Sequence, residues 1–434
     1  MSKVELNTIS RIHFIGVGGI GMSALARFFL HEKKIVSGSD RAPSAITDAL
    51  AAEGMIIYTE QVAGNITEDI DLVVYTEAMS HDHPEMVAAK RHTAPMMNYF
   101  EALGLAMNPY YLIAVAGTHG KTTTTAMLTD IFEAAGKDPT AIIGSLRSST
   151  KSNFRAGKSK YAIVEACEYK RDFLTLKPDV LVITNVELEH VDCYKNLEEV
   201  QAAFRELVLQ VNEGGVVVTN LKDLAILPII EGIKNVVDYT EFLDLKLPLK
   251  QPGFHTRMNV AAALAVASSE RLETDVARQA LSDFAGTWRR FEYKGEYIGH
   301  EGVPVYDDYA HHPTEIKATL EGVRELYPER DITIVFEPHT FSRTEALFQE
   351  FAKAFAHADR VLLLPIYAAR EDNPSGVSSR ELAVKALEFN KNVLYVPSYD
   401  DAIETLKDAT KQNDVIVVLG AGNITKLAAE LVSQ

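Results

Sequence analysis

Short, almost unbroken apolar runs recur along the chain, each followed by a glycine-rich or polar turn. Arg11 to Ile15, Lys34 to Ser37, Leu72 to Tyr75, Leu112 to Ala116, Tyr161 to Val164 and Val180 to Ile183 read as strands. So do Gly215 to Asn220, Val303 to Asp307, Ile332 to Phe336, Arg360 to Leu364 and Val415 to Leu419. Continuous apolarity over four or five residues marks strands covered on both faces, as in parallel sheets flanked by helices. The intervening stretches carry helical signals. The spacing predicts helices over Met22 to His31, Pro84 to Arg91 and Thr122 to about Ala135, the last closed by Gly136. A helix over Leu197 to Val211 places Val200, Phe204, Leu207, Val208 and Val211 on one face, and an alanine-rich helix covers Val260 to Ser268. Strand–helix alternation throughout predicts the α/β class. At 434 residues the chain has room for three such domains, expected at 1–108, 109–293 and 294–434. They are expected to be Rossmann-like, P-loop ATPase-like and again Rossmann-like. No long linker or repeat separates them.

The turns carry the chemistry. After the first strand come Gly16, Val17, Gly18, Gly19, Ile20 and Gly21, with Asp40 after the second strand. This G-x-G-x-x-G spacing suits the pyrophosphate of a nucleotide at a helix N-terminus. After Leu112 to Ala116 come Gly117, Thr118, His119, Gly120, Lys121, Thr122 and Thr123. Glycines there let the backbone turn its amides onto an anion, Lys121 can reach the β/γ-phosphates, and the Thr122 hydroxyl can meet Mg²⁺. The first glycine of the usual P-loop pattern is replaced by Val115. Two later strands end in Glu165 and in the segment reaching His190, where ligands of a parallel sheet sit. From position alone these two are either metal ligands or ordinary turn residues. Likewise the start of the alanine-rich helix, with His255 and Asn259, is either a cap or a set of groups facing a base.

Composition narrows the classes. The chain is 47% hydrophobic and 24% charged with a formal charge of −17, which argues against general nucleic-acid binding while leaving room for a local basic pocket. Cys167 and Cys193 form neither a metal motif nor a disulfide framework, so a reducing cytoplasm is expected. No signal-peptide pattern or membrane-spanning run is evident, and no membrane partner is expected.

Several segments together resemble the Mur ligases, the ATP-dependent amide-forming enzymes of peptidoglycan synthesis. They are HFIGVGGIGMSALA (13–26), AGTHGKTTTT (116–125), DDYAHHPTEI (307–316), EPHTFSRT (337–344), PIYAARE (365–371) and GAGN (420–423). The resemblance covers essentially the whole chain and is strongest to members that add L-alanine to UDP-N-acetylmuramate. It implies that the first glycine turn binds UDP of the sugar substrate and not NAD. It implies ATP and Mg²⁺ at Lys121 and Thr122, and metal-binding positions at Glu165 and His190. It further implies adenine contacts at His255 and Asn259, a ribose contact at Asp308 and an ATP phosphate contact at Arg290. His312 and Arg343 are implied beside the incoming alanine, Arg343 pairing its carboxylate and His312 acting as base. Domain closure excluding water from an acyl phosphate is part of the same expectation, as is a monomer or homodimer.

The chain also departs from the family pattern. The usual EADESD is Glu165-Ala166-Cys167-Glu168-Tyr169-Lys170, Thr256 replaces an asparagine, and no lysine lies within Val200 to Val208. The middle domain is short around Leu221 to Gln251. Competing expectations are a recycling ligase that adds a tripeptide, a nicotinamide-dependent dehydrogenase suggested by the first glycine turn alone, and a non-catalytic nucleotide-binding regulator.

Overall fold

The computed structural model describes residues 5–190, 193–369, 371–373 and 375–432. The apolar runs build three sheets. The first contains β1 (Arg11–Ile15), β2 (Ile35–Ser39), β3 (Ile56–Tyr58), β4 (Leu72–Tyr75) and β5 (Met96–Asn98), in the order β3-β2-β1-β4-β5. The second contains β6 (Tyr111–Ala116), β7 (Thr140–Ile142), β8 (Phe154–Arg155), β9 (Tyr161–Glu165), β10 (Val180–Ile183), β11 (Val216–Thr219) and β12 (Val236–Asp238). Its order is β12-β11-β10-β6-β9-β7-β8. The third contains β13 (Glu292–Glu296), β14 (Pro304–Asp308), β15 (Asp331–Phe336), β16 (Arg360–Leu363), β17 (Val393–Tyr395) and β18 (Asp414–Leu419), in the order β13-β14-β18-β15-β16-β17. Pairing is parallel except at β7–β8 and β13–β14.

The central strands explain why the apolar runs are continuous. Leu112 to Ala116, Val180 to Ile183 and Val415 to Leu419 are fully buried. Burial of each Leu, Ile or Val contributes about 1.5–3 kcal/mol. In the first sheet β1 lies between β2 and β4, and in the second β6 lies between β10 and β9. Strand order reverses at these two strands, and the crevice at the carboxyl end of such a strand is where parallel sheets bind ligands. Both glycine turns follow those strands.

The three sheets fall into two compact units. One comprises residues 1–187, 198–243 and 260–281 and holds the first two sheets; the other comprises 188–197, 244–259 and 282–434 and holds the third. Within the first unit the two sheets are joined by buried contacts. The Arg27 guanidinium donates from Nη1 to Asn153 Oδ1 at 2.6 Å, and Asn153 Nδ2 donates to Ile20 O at 2.7 Å. Among the described residues no helix is long and apolar enough to cross a membrane.

Candidate functional site

The first glycine turn is shaped by the end of β2. The N–H groups of Gly16 and Val17 donate to Ser39 O at 2.9 and 3.0 Å, and Gly18 N–H donates to Asp40 Oδ2 at 2.8 Å. Asp40 therefore faces the second glycine and closes the turn. Beneath it lies a wholly buried polar network. Ser39 Oγ donates to Glu85 Oε2 at 2.5 Å, Asn65 Nδ2 donates to Glu85 Oε1 at 2.7 Å, and His13 Nε2 stands 3.4 Å from Glu85 Oε1. Burial raises the Glu85 pKa, but the hydrogen bonds from His13, Ser39 and Asn65 outweigh it and leave the carboxyl below its ordinary value. The helix Ile20–His31 starts at Gly19 with no side-chain cap, so its first N–H groups face the turn uncapped.

The second glycine turn is more tightly framed. Gly117 sits at φ +128°, and a Cβ there would fall 2.1 Å from Thr184 Oγ1, so only glycine fits. His119 N–H donates to Asn185 Oδ1 at 2.9 Å, and Thr184 Oγ1 donates to His119 O at 2.6 Å. The segment after β10 thus holds the turn open from behind. The helix Lys121–Ala134 begins after Gly120 with no side-chain cap, leaving its N-terminal amides as an anion cradle. Thr122 Oγ1 donates to Glu165 Oε2 at 2.7 Å, and Gly144 N–H donates to the same oxygen at 3.1 Å. A hydroxyl and a carboxylate this close form an oxygen donor set of the kind Mg²⁺ prefers.

Lys121 has a partner that sequence reasoning missed. Its ammonium donates to Gly117 O, to Thr118 O at 3.0 Å and to Glu168 Oε2 at 2.9 Å. Glu168 is only 1% exposed. Burial opposes charge on Lys121, but the Glu168 carboxylate outweighs it and holds the pKa above the ordinary lysine value. The one signal in the sequence was the spacing Glu165-x-x-Glu168 at the end of a strand, within the altered segment. Beyond it, Lys170 and Arg171 take left-handed φ of 50° and 64°, and Lys170 Nζ lies 3.3 Å from Glu77 Oε2.

The remaining expected residues belong to the second unit. His190 lies there, at φ +54°, and its carbonyl accepts from Cys193 N–H at 2.7 Å. His255 is exposed and Asn259 is 7% exposed, both on the first turns of the helix Phe254–Ser269. Asp308 accepts Phe291 N–H and Ala310 N–H, each at 2.7 Å, so its carboxylate already ties the end of β14 to two backbone segments. Burial raises its pKa to about 6. The Arg290 guanidinium lies 4.9 Å from the Tyr309 ring centroid. Its neighbour Arg289 is buried and donates to Gly422 O at 3.0 Å, whereas Arg290 is partly exposed with Nη1 3.9 Å from Glu315 Oε1. Arg370, in PIYAARE, lies outside the described residues. Glu371 of that segment accepts from Ser342 N–H at 2.9 Å and Ser342 Oγ at 2.6 Å.

The two adjacent histidines differ in a way that the sequence does not reveal. His312 is the N-cap of the helix Pro313–Leu326, its Nδ1 accepting from Thr314 N–H at 3.3 Å. That acceptor role puts the proton of neutral His312 on Nε2. His311 Nδ1 instead faces two acceptors, Tyr309 O at 3.0 Å and Glu315 Oε2 at 3.2 Å. Its proton belongs on Nδ1, which leaves the Nε2 lone pair available. Arg343 donates from Nε and Nη2 to Glu189 Oε1, at 3.0 and 2.6 Å.

Sequence comparison matches residues 11–111 to the Mur ligase family catalytic domain, 115–241 to the Mur ligase middle domain and 289–422 to the Mur ligase glutamate ligase domain. The chain is 38% identical over 465 residues to a UDP-N-acetylmuramate–L-alanine ligase of Agathobacter rectalis, covering 100% of both chains. It is 38% identical to the ligase of the same name from Caldanaerobacter subterraneus, covering 100% of this chain and 99% of the relative. A crystal structure of UDP-N-acetylmuramate–alanine ligase from Thermotoga maritima is similar with a TM-score of 0.81 and 28% identity, over 97% of this chain and 98% of that one. The fold is also similar to that of a murein peptide ligase from Psychrobacter arcticus, with a TM-score of 0.71 and 24% identity over 98% of this chain and 100% of that one.

Proposed function

The chain belongs to the Mur ligase family, and from that premise we propose that it uses ATP to join L-alanine to the lactyl carboxylate of UDP-N-acetylmuramate through an acyl phosphate. The observation that carries the reading is the second glycine turn, with Lys121, Thr122 and Glu165 gathered at the uncapped start of one helix. The backbone amides from Gly117 to Thr123, with Lys121, bind the ATP phosphates. Lys121 stabilises the negative charge that spreads over the transferring phosphoryl group. Thr122 and Glu165 would hold Mg²⁺, which neutralises phosphate charge when bound. Arg290, His255, Asn259 and Asp308 serve the rest of the nucleotide. The turn Gly16 to Gly21, held by Asp40, receives the UDP group.

On the acceptor side Arg343 pairs the alanine carboxylate, as a guanidinium does best. His311 Nε2 takes the proton that the ammonium must lose before its nitrogen can attack. His312 stays beside it as a donor fixed by the helix cap. We read the domain boundaries at 1–108, 109–293 and 294–434, and the place of action as the cytoplasm.

The test is phosphate release from ATP with Mg²⁺ and UDP-N-acetylmuramate, with L-alanine added or omitted. Release is expected to need both substrates and to fall about 10²–10³-fold in Lys121→Ala. Release that depends on L-alanyl-γ-D-glutamyl-meso-diaminopimelate and ignores L-alanine would move the reading to the recycling ligase.

A further inference from the structure

Arg343 is held in a way that pairing one carboxylate would not by itself require. It lies in the helix Phe341–Ala346, whose N-cap Thr340 takes φ +70°. The guanidinium has two edges that offer paired N–H donors. The side edge, Nε and Nη2, lies on a single oxygen of Glu189 at 3.0 and 2.6 Å. On the opposite side Nη1 donates to His339 O at 3.2 Å and stands 3.4 Å from His339 Nδ1, so both of these contacts are to that one residue. Both flanks of the plane are thus fixed, and the end edge, one N–H each from Nη1 and Nη2, is left as the two-donor fork. Glu189 is 8% exposed, and the Arg343 side chain 12%. Against Arg343 stands His339, stacked on Tyr367 with ring centroids 5.6 Å apart. Burial first, with the Arg343 and Arg289 guanidiniums adding to it, pushes the His339 pKa down to about 3, so it adds no competing charge.

We propose that Glu189 is a positioning residue for the acceptor amino acid: it grips the side edge of Arg343 so that the end edge is presented to the incoming carboxylate. An arginine free to swing would lose rotamer entropy each time it bound, whereas one held on its side edge is ready in advance. Glu189 also lowers the cost of keeping the guanidinium buried while no substrate is bound. It selects for acceptors that carry a carboxylate, because an amide offers the fork only one acceptor.

The inference rests on the reading of Arg343 as the residue that binds the acceptor carboxylate, and initial rates separate the two. ATP and UDP-N-acetylmuramate are held saturating while L-alanine or L-alaninamide is varied. Glu189→Gln is expected to raise the KM for L-alanine at least tenfold. The KM values for ATP and UDP-N-acetylmuramate and the Mg²⁺ requirement should stay within twofold, and discrimination against L-alaninamide should fall in parallel. Glu189→Asp, which keeps the charge, should recover part of the loss. Arg343→Lys should raise the same KM, and the double variant Glu189→Gln/Arg343→Lys should be no worse than Arg343→Lys alone, because the two residues act as one unit. An unchanged KM for L-alanine in Arg343→Lys would remove the reading of Arg343 itself. A raised KM there, with Glu189→Gln leaving it unchanged, would overturn the positioning role. So would multiplicative losses in the double variant, or an effect of Glu189→Gln confined to the Mg²⁺ requirement.

Discussion

His311 and His312 are neighbours in sequence and differ in which nitrogen bears the proton. The His312 ring serves the helix Pro313–Leu326 as its cap acceptor, and the His311 ring donates toward Tyr309 O and Glu315. Replacing a helix N-cap costs about 1 kcal/mol, whereas removing a general base costs about 10²–10⁴-fold in rate. His312→Gln is therefore expected to lower stability by about 1 kcal/mol and to change kcat less than about tenfold. His311→Gln should leave the urea midpoint nearly unchanged and lower kcat by about 10²-fold or more. Denaturation curves and kcat for both variants check this; equal kcat losses, or the larger one in His312→Gln, would return the base to His312. The glycine positions, Lys121 and Thr122 are legible from sequence because their residue types are dictated by local backbone and charge. The tautomers are not, because each is set by an acceptor that only the folded chain brings near.

The same division holds for whole elements. Buried strands such as β6 and β18 are legible because both of their faces are covered, which demands apolar residues throughout. The segment after β9 is not. Its Glu165 side chain meets Thr122, its Glu168 meets Lys121, and its Lys170 and Arg171 adopt left-handed φ, none of which follows from propensity. Asp172 ends this arrangement with a buried Oδ2 that lacks a hydrogen-bond partner. Burial, and then the carboxylates of Glu77 and Glu101, raise its pKa to about 6, with Lys170 opposing. The folded state thus binds this proton more tightly than the unfolded chain does. Its contribution to stability falls as pH rises from about 4 to about 6 and is level above that. The full effect of such a displacement is about 3 kcal/mol, and water screening of this half-exposed carboxyl reduces it to about 1 kcal/mol. Asp172→Asn should flatten the stability profile between those pH values and gain about 1 kcal/mol near pH 7.5. Urea midpoints at pH 4.5 and 7.5 provide the measurement, and an unchanged pH slope in the variant would show that Asp172 is not the titrating group.

Across the molecule, the two turns that follow β1 and β6 look alike in sequence, both being glycine-rich and both preceding a helix, and their surroundings separate them. The second has a lysine and an oxygen pair suited to Mg²⁺. The first has neither, and its acid, Asp40, is turned onto Gly18 N–H. In the dinucleotide fold the equivalent acid holds the ribose 2′-OH, so this orientation favours UDP-sugar binding over nicotinamide binding. Every residue assigned to the UDP group lies in the compact unit that holds the first two sheets, whereas Arg343 and His311 lie in the other. A ligand stabilises only the unit that binds it, by RT ln(1 + [L]/Kd), or about 2.7 kcal/mol at one hundred times Kd. For a unit of this size that raises the melting temperature by about 5–10 °C. UDP-N-acetylmuramate alone, without ATP or L-alanine, is expected to produce this shift in calorimetry, and NADH and NADPH are expected to produce none. The Asp40→Ala variant should lose most of the shift, because Gly18 N–H loses its acceptor and the turn its shape. A shift with NADH that UDP-N-acetylmuramate does not match would reassign the first turn to a dinucleotide. A shift of the same size in Asp40→Ala would place the UDP group away from this turn.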